Sequence, residues 1–261
     1  MQALKIAATG MDAQQTRVTV ISNNLANMST TAYNARRAEF ADLHYQQIRS
    51  PGTVNASDGS ILPAGVQLGL GVRATAISMD VEQGSIRSTG GELDVAIEGH
   101  GYLEVNLPSG AIAYTRDGAM KLTGEGQVVT SDGYPIVPDI TIPDDARSVT
   151  INGDGEIYAM FVDQTAPQLL GQLTLATFTN DKGLEAIGSN LYLETSASGA
   201  AQTGQPGVDG RGTFRQGYLE ESSVDPVREI TELIEAQRGY ELNAKVITAA
   251  DQMLGATVQI R

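Results

Sequence analysis

Apolar residues recur every seven positions at both ends of this chain, and that repeat limits what the chain can fold into more than any other feature. Near the start, Leu4, Met11, Val18 and Leu25 form one set, and Ala7, Gln14, Ile21 and Met28 form a second set offset by three. Seven of these eight are apolar, which is the a/d stripe of a helix built to meet another helix. The spacing predicts a helix of about 25 residues, roughly 38 Å long. No proline interrupts it, Gly10 is its weak point, and the hydroxyl and β-branched run Ser29-Thr30-Thr31 ends it. The pattern returns at the other end, where Ile230, Leu233, Tyr240, Ala244, Ile247, Leu254 and Val258 recur at three- and four-residue steps, broken by Gln237 and Asp251. Ser223 or Asp225 can cap this second helix and Pro226 suits its first position, so it is expected from about residue 226 to about residue 258.

Two such stripes on one chain can pair with each other, pack on whatever lies between them, or bury against other copies. A narrow stripe on an isolated helix pair hides little area, so most of the stabilisation is expected from neighbours. An ordinary helical hairpin within the chain remains open on the pattern alone.

Between the helices the period falls to two. Residues 93–97, 102–105, 127–130, 148–151, 156–160 and 173–178 read as short strands, with Asp117-Gly118, Asp132-Gly133 and Gly153-Asp154-Gly155 as turns. Twenty-nine glycines and no tryptophan fit many turns and small side chains. The expected class is α+β, mainly β. Residues 1–30 and 225–261 would form a coiled-coil-like axial core. Residues 31–75 and 205–224 would be connectors, the first with a Pro- and Gly-marked segment at about 46–71, and residues 76–204 would form an all-β domain.

The sequence offers little for catalysis or for nucleic acid. A net charge of −14 repels phosphate backbones. With no cysteine, disulfides, thiolate metal sites and cysteine nucleophiles are excluded together. The two histidines, His44 and His100, lie far apart and give no metal spacing. Residues 152–156 (Asn-Gly-Asp-Gly-Glu) lack the ligand spacing of a calcium loop and read as a β-turn. Gly69-Leu70-Gly71 has no third glycine at dinucleotide spacing, and no G-x-S-x-G elbow occurs. The expectation is a protein that is not an enzyme and carries no cofactor or metal. The first residues lack a charged segment followed by an apolar run, so a cleavable secretory leader is not expected, and no stretch is apolar over a membrane's thickness.

Asp12-Ala13-Gln14-Gln15 and Ile21-Ser22-Asn23-Asn24-Leu25-Ala26-Asn27 resemble the N-terminal signature of bacterial flagellar rod and hook proteins. Residues 216–220 (Gln-Gly-Tyr-Leu-Glu), 236–245 (Ala-Gln-Arg-Gly-Tyr-Glu-Leu-Asn-Ala-Lys) and 251–254 (Asp-Gln-Met-Leu) resemble their C-terminal signature. Residues 94–102, 114–118 and 188–192 are similar to motifs of the middle of the same family. The stretches Gln47-Ile48-Arg49-Ser50-Pro51-Gly52 and Leu62-Pro63-Ala64-Gly65-Val66-Gln67-Leu68-Gly69 look like the extra segment of its distal-rod branch. Thr31-Ala32-Tyr33-Asn34, Tyr102, Ser223 and Pro226 depart from the family's usual residues, which leaves the turn after the first helix open.

The resemblance implies a structural subunit of the distal rod, polymerising into a straight hollow shaft that carries torque from motor to hook. It implies termini that order on polymerisation, and export by the flagellar type III apparatus. The implied place is the basal body in the periplasm, crossing peptidoglycan toward the outer membrane. Implied partners are many copies of itself, proximal-rod proteins, the hook protein and the surrounding P- and L-ring proteins, with no nucleic acid and no membrane insertion. Residues expected at the assembly interface are Leu4, Met11, Val18, Ile21, Asn23, Asn24, Leu25, Asn27, Ile230, Leu233, Gln237, Arg238, Tyr240, Asn243, Ile247 and Leu254. Arg49, Pro51, Gly52, Leu62, Pro63, Gly65, Leu68 and Gly69 are expected to reach neighbours through the rod-type insert. The alternatives are a proximal-rod or hook-type sibling and, from another class, a cell-wall glycan-binding β-domain. With no tryptophan and scattered tyrosines, the sequence shows no aromatic platform for a glycan.

Overall fold

The computed structural model describes residues 2–50, 64–161 and 166–259. The chain divides into two compact units, one made of residues 1–26, 36–79 and 225–261, the other of residues 27–35 and 80–224. Helix and short strands together make the mainly-β α+β class that the two periods predict.

The first unit contains the two long helices, α1 (Gln2–Ala26), of the expected length, and α2 (Pro226–Gln259), within one residue of its expected bounds. Asp225, not Ser223, caps α2: its Oδ1 accepts the backbone N–H of Val227 at 2.9 Å and of Arg228 at 3.4 Å. Four strands accompany the helices: β1 (Arg36–Asp42), β2 (Tyr45–Arg49), β3 (Val66–Gly69) and β4 (Val72–Met79). They pair antiparallel, β1 with β4 from Arg36 opposite Met79 to Asp42 opposite Val72, and β2 with β3 from Tyr45 opposite Gly69. The chain crosses against α1 at Gly71, whose φ of +115° suits glycine and where a Cβ would meet Thr9 Oγ1. Residues 31–75, expected to form a connector, thus carry strands. Turn residues at both edges of the 46–71 stretch outweighed a weak β signal in Tyr45, Ile48, Val66 and Leu68, which lie on exposed strands with no buried face to enforce an alternation.

The second unit holds the main core. Leu103–Asn106 lies between Ile136–Val137 and Ile112–Thr115 in a five-stranded antiparallel sheet that continues through Leu191–Leu193 to Glu185–Gly188. Ala146–Ile151, Glu156–Phe161 and Gln168–Gln172 form a three-stranded sheet. The side chains of Val95, Ile97, Leu103, Ile136, Ile157, Leu173 and Leu175 are fully buried in one cluster. Two strands, Thr213–Gln216 and Tyr218–Glu220, fall within residues 205–224, where a connector is expected, and Gln202–Gly204 closes the expected β-domain. Each pairs with a strand distant in sequence, a partner that no local pattern reveals.

A buried ion pair ties this unit together. Arg116 donates to Glu220 Oε2 through Nε at 3.1 Å and Nη2 at 2.8 Å, and its Nη1 donates to the carbonyls of Gly99 and Gly101 at 3.1 Å each. Glu220 Oε1 accepts the Gly84 N–H at 3.0 Å. Every charge is thus matched, but removal of either partner strands the other out of water. Arg116→Met is expected to destabilise this unit by about 3–5 kcal/mol, and Arg116→Met with Glu220→Gln by less than Arg116→Met alone; thermal unfolding followed by circular dichroism checks both.

Candidate assembly interface

The two terminal helices run antiparallel with a constant offset. Asn24 meets Glu229, Arg17 reaches Glu232 at 3.3 Å and Glu235 at 3.6 Å, Gln14 lies against Gly239, and Gly10 lies against Asn243. Small side chains do most of the closing. Ala7, Ala13, Val20 and Ile21 are buried on α1, and Ala236 and Ala250 on α2. A Cβ on Gly10 would stand 2.9 Å from the Asn243 amide, so the helices approach closely there. Large apolar side chains along α2 are left outside this seam: Ile230, Ile234, Tyr240, Leu242, Val246, Met253 and Leu254 are between 42% and 65% exposed. A groove of about 440 Å³ opens on the pair, lined by Gln15, Val18 and Thr19 of α1 and by Gln237, Tyr240 and Glu241 of α2.

The expected interface residues therefore separate into groups. Ile21 and Asn24 are buried within the chain. Leu4, Met11, Val18, Leu25, Asn27, Leu233, Asn243 and Ile247 are half-buried, and Asn23, Ile230, Gln237, Arg238, Tyr240 and Leu254 are exposed. The resemblance implies ends that order on polymerisation, whereas here both ends are helical and paired within one chain. Of the insert residues, Leu68 is exposed and Gly69 half-buried on β3, Arg49 is exposed on β2, and Gly65 precedes β3. Pro51, Gly52, Leu62 and Pro63 lie outside the described residues. The ribbon of β2 and β3 exposes Tyr45, Ile48, Val66 and Leu68, and an isolated two-stranded ribbon is marginal in water.

The heptad reading missed one polar residue that belongs to this seam. Glu229 stands in the first turn of α2 and is 4% exposed. Its Oε1 accepts Asn24 Nδ2 at 3.2 Å, while Oε2 has no hydrogen-bond donor among the described residues. Burial raises its pKa above the ordinary carboxylate value, and Glu232 adds to the rise; the Asn24 hydrogen bond and the guanidinium groups of Arg228 and Arg37 pull the other way. The available signal was Asn24 itself, an amide three residues after Ile21 on the apolar face, which requires a polar answer from the opposite helix.

Among the described residues no cluster of His, Asp and Glu could hold a metal ion, and no helix is long and apolar enough to cross a membrane. In the Asn152 turn, Oδ1 accepts the N–H groups of Asp154 at 3.1 Å and Glu156 at 2.8 Å, which is a turn held by its own side chain. A cavity of about 190 Å³ in the second unit is lined by Asn34, Glu82, Gln83, His100 and Arg116, with the Arg116 guanidinium already committed to Glu220.

Comparison with known proteins settles the family. Profiles described as flagella basal body rod protein, flagellar hook protein FlgE/F/G D1 domain, and flagellar basal body rod FlgEFG protein C-terminal match residues 4–33, 96–159 and 215–260. The flagellar basal-body rod protein FlgG of Caulobacter vibrioides is 53% identical over the whole of both chains. The chain belongs to the FlgG family of flagellar basal-body rod proteins. FlgG of Buchnera aphidicola subsp. Acyrthosiphon pisum is 47% identical over 99% of each chain, and FlgG of Agrobacterium fabrum is 48% identical over 97% of each. The role is structural, that of a subunit of the rod in the flagellar basal body.

A carboxyl whose folded-state pKa is raised opposes folding when ionised, and that opposition disappears as pH falls through the folded pKa. Helix pairing is therefore expected to strengthen as pH falls from neutral toward the ordinary carboxylate range, relative to a Glu229→Gln variant. In that variant this contribution is absent and pairing at neutral pH is at least as strong. Paired thermal melts of the two proteins across that range measure the difference.

Proposed function

We propose that this family member polymerises through its helix pair, with the exposed apolar side chains of α2 buried against neighbouring copies. The supporting observation is that α2 has already found its partner within the chain and still presents Ile230, Ile234, Tyr240, Leu242, Val246, Met253 and Leu254 to water. Spread along about 50 Å of helix and over several of its sides, these residues offer surface to more than one neighbouring copy. A contact that joins one face of a subunit to a different face of the next propagates as a helical filament when it does not close into a ring. In this reading the helix pairs line the inside of a hollow distal rod. The β-rich unit forms the outer wall, and the β2–β3 ribbon with the residues that follow it reaches a neighbouring subunit and stiffens the shaft.

The same reading makes the subunit a carrier of torque without catalysis, exported without a cleaved leader and placed in the periplasm. There it is flanked by proximal-rod and hook proteins and surrounded by P- and L-ring proteins. Support for these finer points is the family alone, together with the lack of a catalytic constellation in the sequence.

Charged substitutions at two of these exposed positions test the proposal. Ile230→Asp with Tyr240→Asp is expected to abolish filaments in negative-stain electron micrographs of concentrated protein. Its thermal unfolding should stay within about 0.5 kcal/mol per site of the parent, as substitutions exposed to water usually do. Filaments of ordinary length from that variant would refute this assignment.

A further inference from the structure

A seam made of alanine and glycine closes two helices without saying where along each other they stop. Ala7, Ala13, Ala236 and Ala250, with Gly10 and Gly239, present low relief. A helix of this kind can slide by one turn and meet another shallow surface. The ion pairs of Arg17 are more than a quarter exposed on both sides and satisfied at two positions on α2, Glu232 and Glu235, so they tolerate displacement. Something else has to select the register.

Asn24 has the properties required. It is 1% exposed, and its side chain is held on both sides by a single residue of β1: Nδ2 donates to the Arg36 carbonyl at 2.8 Å and Oδ1 accepts the Arg36 N–H at 2.9 Å. That two-point grip fixes which way the amide faces. The second N–H of Nδ2 then points to one place on α2, where Glu229 Oε1 lies at 3.2 Å. A slide of one turn would set Leu233 opposite Asn24 in place of Glu229. The second amide N–H would lose Glu229 as its acceptor, and the carboxylate would lose the Asn24 donor in a buried site, each a cost that the shallow seam cannot offset. A single buried amide is an effective way to specify register between helices.

We propose that Asn24, oriented by Arg36 and answered by Glu229, sets the register in which the two terminal helices close. It thereby decides which large side chains of α2 are presented for assembly. Asn24 is a positioning residue here: it acts on neighbours through the placement of Ile230, Tyr240 and Leu242, not by touching them. The consequence in the polymer rests on the assembly reading above; the register itself does not.

The absence of cysteine from the chain makes the test direct, because two introduced thiols report one distance. Gln14→Cys with Gly239→Cys reports the observed register, since Gln14 Cγ lies 3.4 Å from where a Cβ on Gly239 would stand. Gln14→Cys with Asn243→Cys reports a slide of one turn. In the full-length chain with Asn24 and Glu229 intact, the first pair is expected to cross-link at least about tenfold faster than the second, as the loss of a buried hydrogen bond predicts. Glu229→Leu should bring the two rates within about threefold, Asn24→Leu should do the same, and Glu229→Gln, which keeps the acceptor, should restore the preference. Glu229→Leu leaves the Asn24 grip on Arg36 in place, so it remains informative if Asn24→Leu loses helix by far-ultraviolet circular dichroism. A tenfold preference retained in Glu229→Leu overturns the proposal. Register lost as expected, with filaments still forming at the parent rate, would leave register setting intact and count against the assembly reading instead.

Discussion

The close antiparallel approach of α1 and α2 is the contact on which the rest of the structure depends. Alanine and glycine at the points of contact let the helices approach closely and leave the bulky side chains of α2 outside. A seam built from leucine would have buried those side chains within the chain and produced a self-contained hairpin. Using small residues inside and large ones outside divides one heptad pattern between two tasks, closing the subunit and joining it to others.

That division explains why the β-rich unit is so different in character. Its core is made of fully buried Val, Ile and Leu side chains, and its buried Arg116–Glu220 ion pair has both charges satisfied. That core is closed by its own strands, while Ile112, Leu122, Met160, Leu169, Ile187 and Val208 remain exposed at its surface. A packed core in one unit and uncovered helical side chains in the other suit a shaft subunit, because torque must pass through parts that do not deform while contacts between copies remain available. The exposed β2–β3 ribbon, which begins as an extension of the β1–β4 hairpin, belongs with the helical face in this respect.

Much of this was legible in the sequence, for identifiable reasons. The extents of both helices follow from the seven-residue period and from Pro226, and the strands around Ile97, Val105 and Ile157 follow from apolar runs between glycine turns. The partners of those strands do not, because Thr213–Gln216 pairs with Val95–Glu98 across more than a hundred residues and nothing local encodes such a pairing. The heptad pattern identified which positions are apolar without distinguishing inside from outside. Ile21 and Ile230 occupy equivalent steps of the repeat, yet one is buried and the other exposed, because the inner seam is set by Ala7, Ala13 and Ala236. Glu229 escaped notice because an acid in a first helical turn has an ordinary place near the helix N-terminus; its burial arises from Asn24, more than two hundred residues earlier.

The central claim, that the large side chains of α2 face water in the free subunit and are covered by neighbouring copies in the rod, can be measured by carbene footprinting of one preparation before and after polymerisation. The account predicts heavy labelling of Tyr240, Leu242 and Met253 in the free protein and strong protection in filaments, with Ala236 and Asn24 protected in both. Filaments in which Tyr240 and Leu242 label as heavily as in the free subunit would contradict it.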